Sequence, residues 1–155
     1  MKIYLDMDGV LVDFIRQVEK YDFFRKDKPD KVDWKKVKAM GPVFWSEMDW
    51  MPGAEDAFKK LQVIEKNKGI DLYILSSIDF TEGIEGKKNW ISQHTCLEPE
   101  KLILVKEPED KAEYAGPDAV LVDDRDKSLI PFKNAGGKTI KFKDWDSTIK
   151  EIEKL

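Results

Sequence analysis

The sequence predicts an α/β fold with a Rossmann-like, mainly parallel sheet flanked by helices. Short apolar runs of β-prone residues alternate with segments in which apolar residues recur at helical spacing. The apolar runs lack the polar alternation of half-exposed strands, which is typical of a parallel sheet covered on both faces. A length of 155 residues fits one domain, so we expect a single domain over residues 1–155.

The chain begins with a predicted strand and a predicted helix. Residues 3–5 are apolar and stop at acidic residues, which indicates a buried strand. Residues 10–21 follow with Leu11 and Phe14 at helical spacing, which predicts a helix. Residues from about 22 to 50 are rich in Lys and Asp with scattered aromatic side chains, and we interpret them as a small helical insertion.

The rest of the chain alternates helices and strands. Pro52-Gly53 ends the insertion, and a helix over residues 54–66 follows, with Gly69 as its C-cap. Further strands are predicted at residues 72–75, 102–105, 119–122 and 138–142. Further helices are predicted at residues 84–94 and 147–155.

Composition excludes several classes of protein. The 27 Lys and Arg nearly balance the 31 Asp and Glu, which argues against a protein that coats nucleic acid. The plentiful aromatic residues argue against an acidic disordered chain. The single cysteine, Cys96, fits a reducing compartment, and we expect it to be a small buried residue. No apolar run approaches the roughly 18 residues of a membrane span, so we expect a cytoplasmic protein.

Polar clusters follow three of the predicted strands. Asp6-Met7-Asp8-Gly9, Ser76-Ser77 and Asp123-Asp124 come directly after apolar runs. The carboxyl ends of parallel strands meet at one edge of a sheet, where ligands bind. The four carboxylates repel one another there unless a cation lies among them. Oxygen ligands without nearby His or Cys favour Mg²⁺ over zinc.

A magnesium site with a spare carboxylate suggests phosphoryl transfer. One aspartate can attack phosphorus and form an aspartyl-phosphate. A second aspartate, two residues further on, can protonate the leaving alcohol and then activate water. Ser76 can donate to a phosphate oxygen, a lysine would complete the charge balance, and Gly9 permits a sharp turn.

Each cluster also has a plain structural interpretation. The first acids can be surface residues, Asp123-Asp124 can cap a helix, and Ser76-Ser77 can form a turn. The occurrence of all three clusters at predicted strand ends, in an order that makes one site, favours a functional interpretation.

The residues at positions 6–11, Asp6-Met7-Asp8-Gly9-Val10-Leu11, resemble the first motif of the haloacid dehalogenase (HAD) superfamily of phosphotransferases. Leu75-Ser76-Ser77 is similar to its second motif, and Val122-Asp123-Asp124 to its acidic fourth motif. The resemblance implies a HAD-type fold.

Within that superfamily the chain most resembles the 5′(3′)-deoxyribonucleotidases. The similarity lies in residues 6–14, in Met51-Pro52-Gly53-Ala54, in the helix at 87–94 and in the tract at 102–125. The resemblance implies a Mg²⁺-dependent phosphatase that hydrolyses (deoxy)ribonucleoside monophosphates to nucleoside and phosphate through an aspartyl-phosphate.

The same resemblance implies a role for each site residue. Asp6 would be the nucleophile and Asp8 the general acid and base. Mg²⁺ would be held by the Asp6 carboxylate, the Asp8 backbone carbonyl and Asp124, with Asp123 in support. The implied phosphate-binding residues are Ser76, Ser77, Lys111 and Lys87. Lys106 remains an alternative to Lys111, because the spacing from Lys111 to Asp123 is slightly long.

The insertion, taken as residues 16–50, would be a cap that shields the site from water. Phe14 matches a substrate-contacting phenylalanine of the family. Trp34, Phe44 and Trp45 can stack on a base or form the core of the cap, and both alternatives stay open. His94 is expected to be structural.

Other functions compete with this one. A HAD phosphatase could act on another small phosphoester or on a phosphate end of nucleic acid. A non-catalytic phosphate-binding protein is also considered. In a receiver-like signalling module the acidic pair follows the first strand and the lysine comes last, an order that this chain lacks. The expected partner is a small phosphomonoester, without a membrane or stable nucleic-acid binding, and a homodimer is left open.

Overall fold

A computed structural model describes residues 1–155 and has a five-stranded parallel sheet in the order β3-β2-β1-β4-β5. The strands are β1 Lys2–Leu5, β2 Asp71–Ser77, β3 Leu102–Val105, β4 Ala119–Asp123 and β5 Lys138–Lys141. The helices are α1 Phe14–Lys20, α2 Trp34–Met40, α3 Val43–Ser46, α4 Ala54–Lys68, α5 Thr81–His94, α6 Asp126–Asn134 and α7 Trp145–Glu153. Two 3₁₀ helices cover Pro99–Lys101 and Pro108–Tyr114. The predicted fold class is confirmed.

The first strand lies at the centre of the sheet. Leu5 of β1 is aligned with Ile74 of β2 on one side and with Val122 of β4 on the other. Ile3 and Leu5 are almost completely buried, as expected for a strand with helices on both faces. This register brings the residues that follow β1, β2 and β4 to one edge of the sheet.

The region between β1 and α4 packs onto the sheet domain. Phe44 and Trp45 of α3 belong to the same buried apolar cluster as Leu5 of β1. Helix α3 lies close against α5, where a Cβ atom on Gly86 would lie 2.4 Å from the carbonyl oxygen of Pro42. The absence of a side chain at Gly86 therefore permits the two segments to touch.

The helix predicted at residues 10–21 begins only at Phe14. The Met7 carbonyl accepts the N–H groups of Leu11 and Val12 at 2.9 and 3.0 Å, which closes a turn before the helix. Val10, Leu11 and Val12 are all fully buried. Three successive residues of a helix point in different directions, so a turn buries them better than a helix does.

Two helical segments near the site are absent from the predicted elements. Helix α6 contains Pro131, which in a sequence ordinarily marks the end of a helix. The 3₁₀ helix Pro108–Tyr114 is short and has no apolar periodicity, although Glu107 and Asp110 form a capping box at its start.

The prediction for Cys96 is wrong, because this residue is exposed. It follows α5 in a short connection to the 3₁₀ helix at Pro99–Lys101, where the chain runs over the surface. No helix in the structure combines the length and the apolar character needed to cross a bilayer.

Candidate active site

The carboxyl ends of β1, β2 and β4 carry the candidate site. The Asp6 N–H donates to the Val122 carbonyl at 2.9 Å, which fixes the end of β1 beside β4. Ser76 is the sixth residue of β2 and is 1% exposed. All of the strand-end clusters therefore face one crevice.

The turn after β1 depends on Gly9. Its φ is +81°, a left-handed value, and a Cβ atom there would lie 2.6 Å from Asp124 Oδ2. A glycine adopts this conformation without the steric cost of a side chain. The missing side chain lets the Asp124 carboxylate lie directly against the turn that holds Asp8.

Lys111 joins two of the aspartates. Its Nζ donates to Asp6 Oδ1 at 2.8 Å and to Asp123 Oδ2 at 2.6 Å, and the residue is 1% exposed. Lys106, the alternative from sequence, is exposed and lies 3.8 Å from Asp79 at the rim. Of the two lysines, Lys111 is the one beside the strand-end acids.

Lys87 joins the other two strand ends. Its Nζ donates to Asp8 Oδ2 at 3.0 Å, to Ser76 Oγ at 2.7 Å and to the Ser77 carbonyl at 3.1 Å. It has no exposed surface. The residue reaches the site from α5, three residues before Trp90, and so connects that helix to the crevice.

Both oxygens of Asp123 are already engaged. Oδ2 accepts from Lys111 and Oδ1 accepts from the backbone N–H of Arg125 at 2.9 Å. Asp123 therefore positions Lys111 and the chain after β4. The carboxylates of Asp6 and Asp124 are better placed to hold a cation.

The site suits a hard divalent cation. One oxygen from each of Asp6, Asp123 and Asp124 lies within 4.8 Å of the others. Asp124 Oδ1 is buried and has no hydrogen-bond partner, although buried polar atoms normally have one. Fully ionised, the four aspartates and the two buried lysines leave a negative site, whose charge one Mg²⁺ would offset.

The electrostatics of the acids agree with that arrangement. Burial raises the pKa of Asp6 to about 7 from an ordinary 3.8, with Lys111 opposing the change and Asp123 and Asp8 adding to it. Burial and the Asp123 charge raise the pKa of Asp124 to about 6. Burial opposes the charge of Lys111, but the Asp6 and Asp123 carboxylates outweigh it and raise the lysine pKa.

A crevice of about 440 Å³ opens above these groups. Its aromatic side is built from Phe14 and Trp34, stacked with ring centroids 5.7 Å apart, and from Phe80, 5.9 Å from Trp34. Trp34 is 44% exposed. Trp45 borders the crevice with its ring 5.3 Å from that of Phe80. Like Phe44 it has no exposed surface, so neither ring can stack on a ligand without rearrangement.

Phe80 and Arg125 are two of several crevice residues that are not predicted from the sequence. Phe80 precedes α5, and no periodic pattern marks it. Arg125 borders the crevice beside Asp124, and its position directly after the acidic pair is the signal that could have found it. Ser77 also borders the crevice, while His94 stacks on Trp90, away from the acids.

A larger groove of about 570 Å³ lies on residues 25–36 and shares Trp34 with the crevice. Its charges are exposed, and Arg25 pairs with Asp27 at 3.0 Å. It contains no buried acid. The buried acids therefore favour the smaller crevice as the candidate site.

Comparison with solved structures finds hydrolases that share this fold. One is a HAD-superfamily hydrolase from Ehrlichia chaffeensis, 13% identical, with a TM-score of 0.59 over 99% of this chain and 96% of that one. Another is a subfamily IA HAD hydrolase from Geobacter sulfurreducens, 13% identical, with a TM-score of 0.58 over 97% and 95% of the two chains.

A haloacid dehalogenase-like family hydrolase from Xanthomonas campestris is 11% identical, with a TM-score of 0.58 over 91% of this chain and 82% of that one. No family model and no curated protein matches the chain. At these identities the likeness concerns the three-dimensional arrangement. The chain has the fold of the HAD-superfamily hydrolases.

Proposed function

We propose that this protein is a Mg²⁺-dependent phosphatase that hydrolyses nucleoside monophosphates to nucleoside and phosphate, as the deoxyribonucleotidases do. The observation that carries the proposal is the pairing of Asp6 with Lys111 and of Asp8 with Lys87 at one crevice. This pairing provides a nucleophile, a separate acid and a buried positive charge beside each of them.

In the first step Asp6 attacks the phosphorus atom. Lys111 holds Asp6 Oδ1, which leaves Oδ2 free of protein donors for the attack. The new bond joins Asp6 to phosphorus, and the bond from phosphorus to the leaving oxygen breaks. Asp8, in its protonated form, gives its proton to that oxygen so that the nucleoside leaves as a neutral alcohol.

In the second step water attacks the same phosphorus atom. Asp8, now ionised, takes a proton from the water, and the bond between Asp6 and phosphorus breaks. Inorganic phosphate leaves, Asp6 is a carboxylate again and Asp8 is protonated again. Ser76 Oγ, which is buried, donates a hydrogen bond to a phosphoryl oxygen and keeps its proton.

The residues that would hold Mg²⁺ are Asp6 and Asp124, with the backbone carbonyl of Asp8. The free, buried Asp124 Oδ1 supports this assignment. A bound Mg²⁺ supplies neutralisation of the charge on the phosphoryl oxygens.

The crevice walls favour a substrate whose leaving group carries an aromatic base. Phe14 and Trp34 present stacked rings beside the acids, and Trp34 keeps much of its surface exposed. Aromatic faces hold nucleobases by stacking, largely independently of base identity. We assign residues 16–50 the role of a cap whose α2 end contributes Trp34 to this wall.

Phosphate release from a panel of phosphomonoesters, with and without Mg²⁺, tests the reaction. We expect Mg²⁺-dependent release from nucleoside monophosphates, and its loss in Asp6→Asn because an amide is a poor nucleophile. Asp118→Asn is the control, since this exposed acid precedes the opposite end of β4. Normal turnover by Asp6→Asn would contradict the nucleophile assignment.

Substitution of Trp34 tests the substrate class. Trp34→Ala is expected to raise KM for a nucleoside monophosphate at least about fivefold, given the roughly 1–3 kcal/mol of base stacking. KM for glycerol phosphate, which has no ring to stack, should change little. Val63→Ala, an exposed apolar residue on α4, is the control. A preference for sugar phosphates or for nucleic-acid ends in the panel would overturn the nucleotide assignment.

A further inference from the structure

Lys87 is a completely buried charge whose hydrogen bonds are all accounted for. An ammonium group has three N–H donors. Asp8 Oδ2, Ser76 Oγ and the Ser77 carbonyl accept them at 3.0, 2.7 and 3.1 Å. No N–H of Lys87 is left for a substrate, so the phosphate contact expected from the sequence is not available to it.

These hydrogen bonds determine which atoms of Asp8 and Ser76 remain free to interact with a substrate. Ser76 Oγ accepts from Lys87, so its own proton is directed away from the ammonium group and is free to donate. Asp8 is held by Oδ2, while its Oδ1 is buried and has no partner. The unpartnered oxygen is the one available to hold the transferring proton.

We infer that Lys87 is a positioning residue that orients Asp8 for proton transfer to the leaving group, without touching the substrate. The inference rests on the proposed phosphatase reaction. The two roles predict different effects of removing Lys87. Loss of a positioning residue should impair protonation of the leaving group, whereas loss of a phosphate-binding residue should weaken affinity for the anion.

The position of Lys87 is itself set by the insertion. Gly86, the preceding residue of α5, lies against Pro42 at the start of α3, and Trp45 packs on the same spot. Lys87 therefore lies on the part of α5 that packs against the insertion. The orientation of Asp8 thus depends on how the insertion packs.

The test compares leaving groups in single-turnover experiments with Lys87→Met. Release of nucleoside from a nucleoside monophosphate is expected to slow roughly 10–100-fold, since an alkoxide needs the proton. Release of p-nitrophenolate from p-nitrophenyl phosphate needs no proton and should change less than about threefold. Lys88→Met, an exposed lysine on the same helix, should leave both rates unchanged.

Two further measurements separate positioning from binding. The dissociation constant of inorganic phosphate, measured by calorimetry, should change less than about fivefold in Lys87→Met, whereas loss of a direct charged hydrogen bond would weaken binding by roughly 10–100-fold. In an Asp8→Asn background, Lys87→Met should slow nucleoside release less than about threefold further, because coupled residues are not additive.

Equal slowing with both leaving groups, or the large loss of phosphate affinity, would overturn the inference. Lys87→Gln, which keeps two N–H donors, replaces Lys87→Met if the latter does not fold, and the same split is expected at smaller size. A wild-type protein without turnover would contradict the proposed function. The phosphate-binding measurement would still decide whether Lys87 contacts the anion.

Discussion

Two buried lysines link the strand ends of the site, each in a different direction. Lys111 joins Asp6 at the end of β1 to Asp123 of β4, and Lys87 joins Asp8 to Ser76 of β2. A buried charge is stable only with such partners. Each lysine therefore holds an acid in place, and each acid satisfies a lysine.

The sequence anticipates the acids better than the lysines. Asp6 and Asp8 follow an apolar run directly, so their place at a strand end can be read locally. The sequence leaves Lys106 as an alternative to Lys111, because Lys111 lies on a 3₁₀ turn that carries no periodic signal. The structure distinguishes the two lysines by their burial, because Lys111 is buried and Lys106 is exposed.

Gly9→Ala tests whether the site depends on the close approach of Asp124 to Gly9. The left-handed φ and the 2.6 Å approach to Asp124 leave no room for a methyl group. We expect the variant to lose roughly 1–2 kcal/mol of unfolding free energy from the backbone conformation. Displacement of Asp124 should also weaken Mg²⁺ binding, measured by calorimetry.

Gly116→Ala is the matched control, because a Cβ atom at that glycine meets nothing within 4 Å. It should bind Mg²⁺ as the unchanged protein does. Gly9→Ala with unaltered Mg²⁺ affinity would show that Asp124 does not depend on the turn.

Among the elements, α5 does more than cover the sheet. It supplies Lys87 to the crevice. Its glycines let other segments approach, with Gly86 against Pro42 of the insertion and Gly83 against Ile78, the residue after β2. The sequence predicts a helix over residues 84–94, and the structure has one from Thr81 to His94. Which residues it meets could not be read from the sequence, since periodicity indicates a face and not its neighbour.

Gly86→Ala tests the contact between α5 and α3. A methyl group would lie 2.4 Å from the Pro42 carbonyl and 2.7 Å from Trp45 Cβ, so α3 must move. Overpacking of this kind is expected to cost roughly 1–3 kcal/mol of unfolding free energy, measured by chemical denaturation. Since Lys87 is the next residue, nucleoside release should also slow.

Glu85→Ala, an exposed position on the same helix, controls for changes in helix propensity and should be nearly neutral. If Gly86→Ala were as stable and as active as the unchanged protein, the close contact between the two helices would be of no importance.

At the scale of the whole molecule, a site with an excess of buried carboxylates opposes folding when no cation is bound. The pKa of Asp6 is raised to about 7 and that of Asp124 to about 6, both from 3.8. Between about pH 4 and pH 7, these two carboxyl groups thus bind protons more tightly in the folded protein than in the unfolded chain. Stability of the metal-free protein should fall as pH rises through this interval.

Metal removal gives a test of this linkage. Addition of Mg²⁺ should raise Tm more at about pH 8 than at about pH 5, because protons compete with the cation at the same carboxylates. Between about pH 5 and pH 8, the unfolding free energy of the metal-free protein should fall. In Asp6→Asn this fall should be smaller by at least roughly 1 kcal/mol, since the variant lacks one titrating acid. Thermal unfolding in chelator and in excess Mg²⁺ measures both.

An equal shift of Tm at the two pH values would show that the cation does not displace protons from these acids. No shift at either pH would contradict the metal site itself. Because thermal unfolding is measured without substrate, the comparison does not depend on turnover.

The sequence alone predicts the order of the five strands along the chain, several of the helices, and the four acids at the strand ends. These follow from local hydrophobic patterns, which a short window contains. Only the tertiary structure shows that Lys111 meets Asp6 across 105 residues and that Lys87 meets Asp8 across 79. It also shows that Trp34, and not Trp45, is exposed at the crevice. These contacts depend on how distant segments pack, and that packing leaves no periodic trace in any one of them.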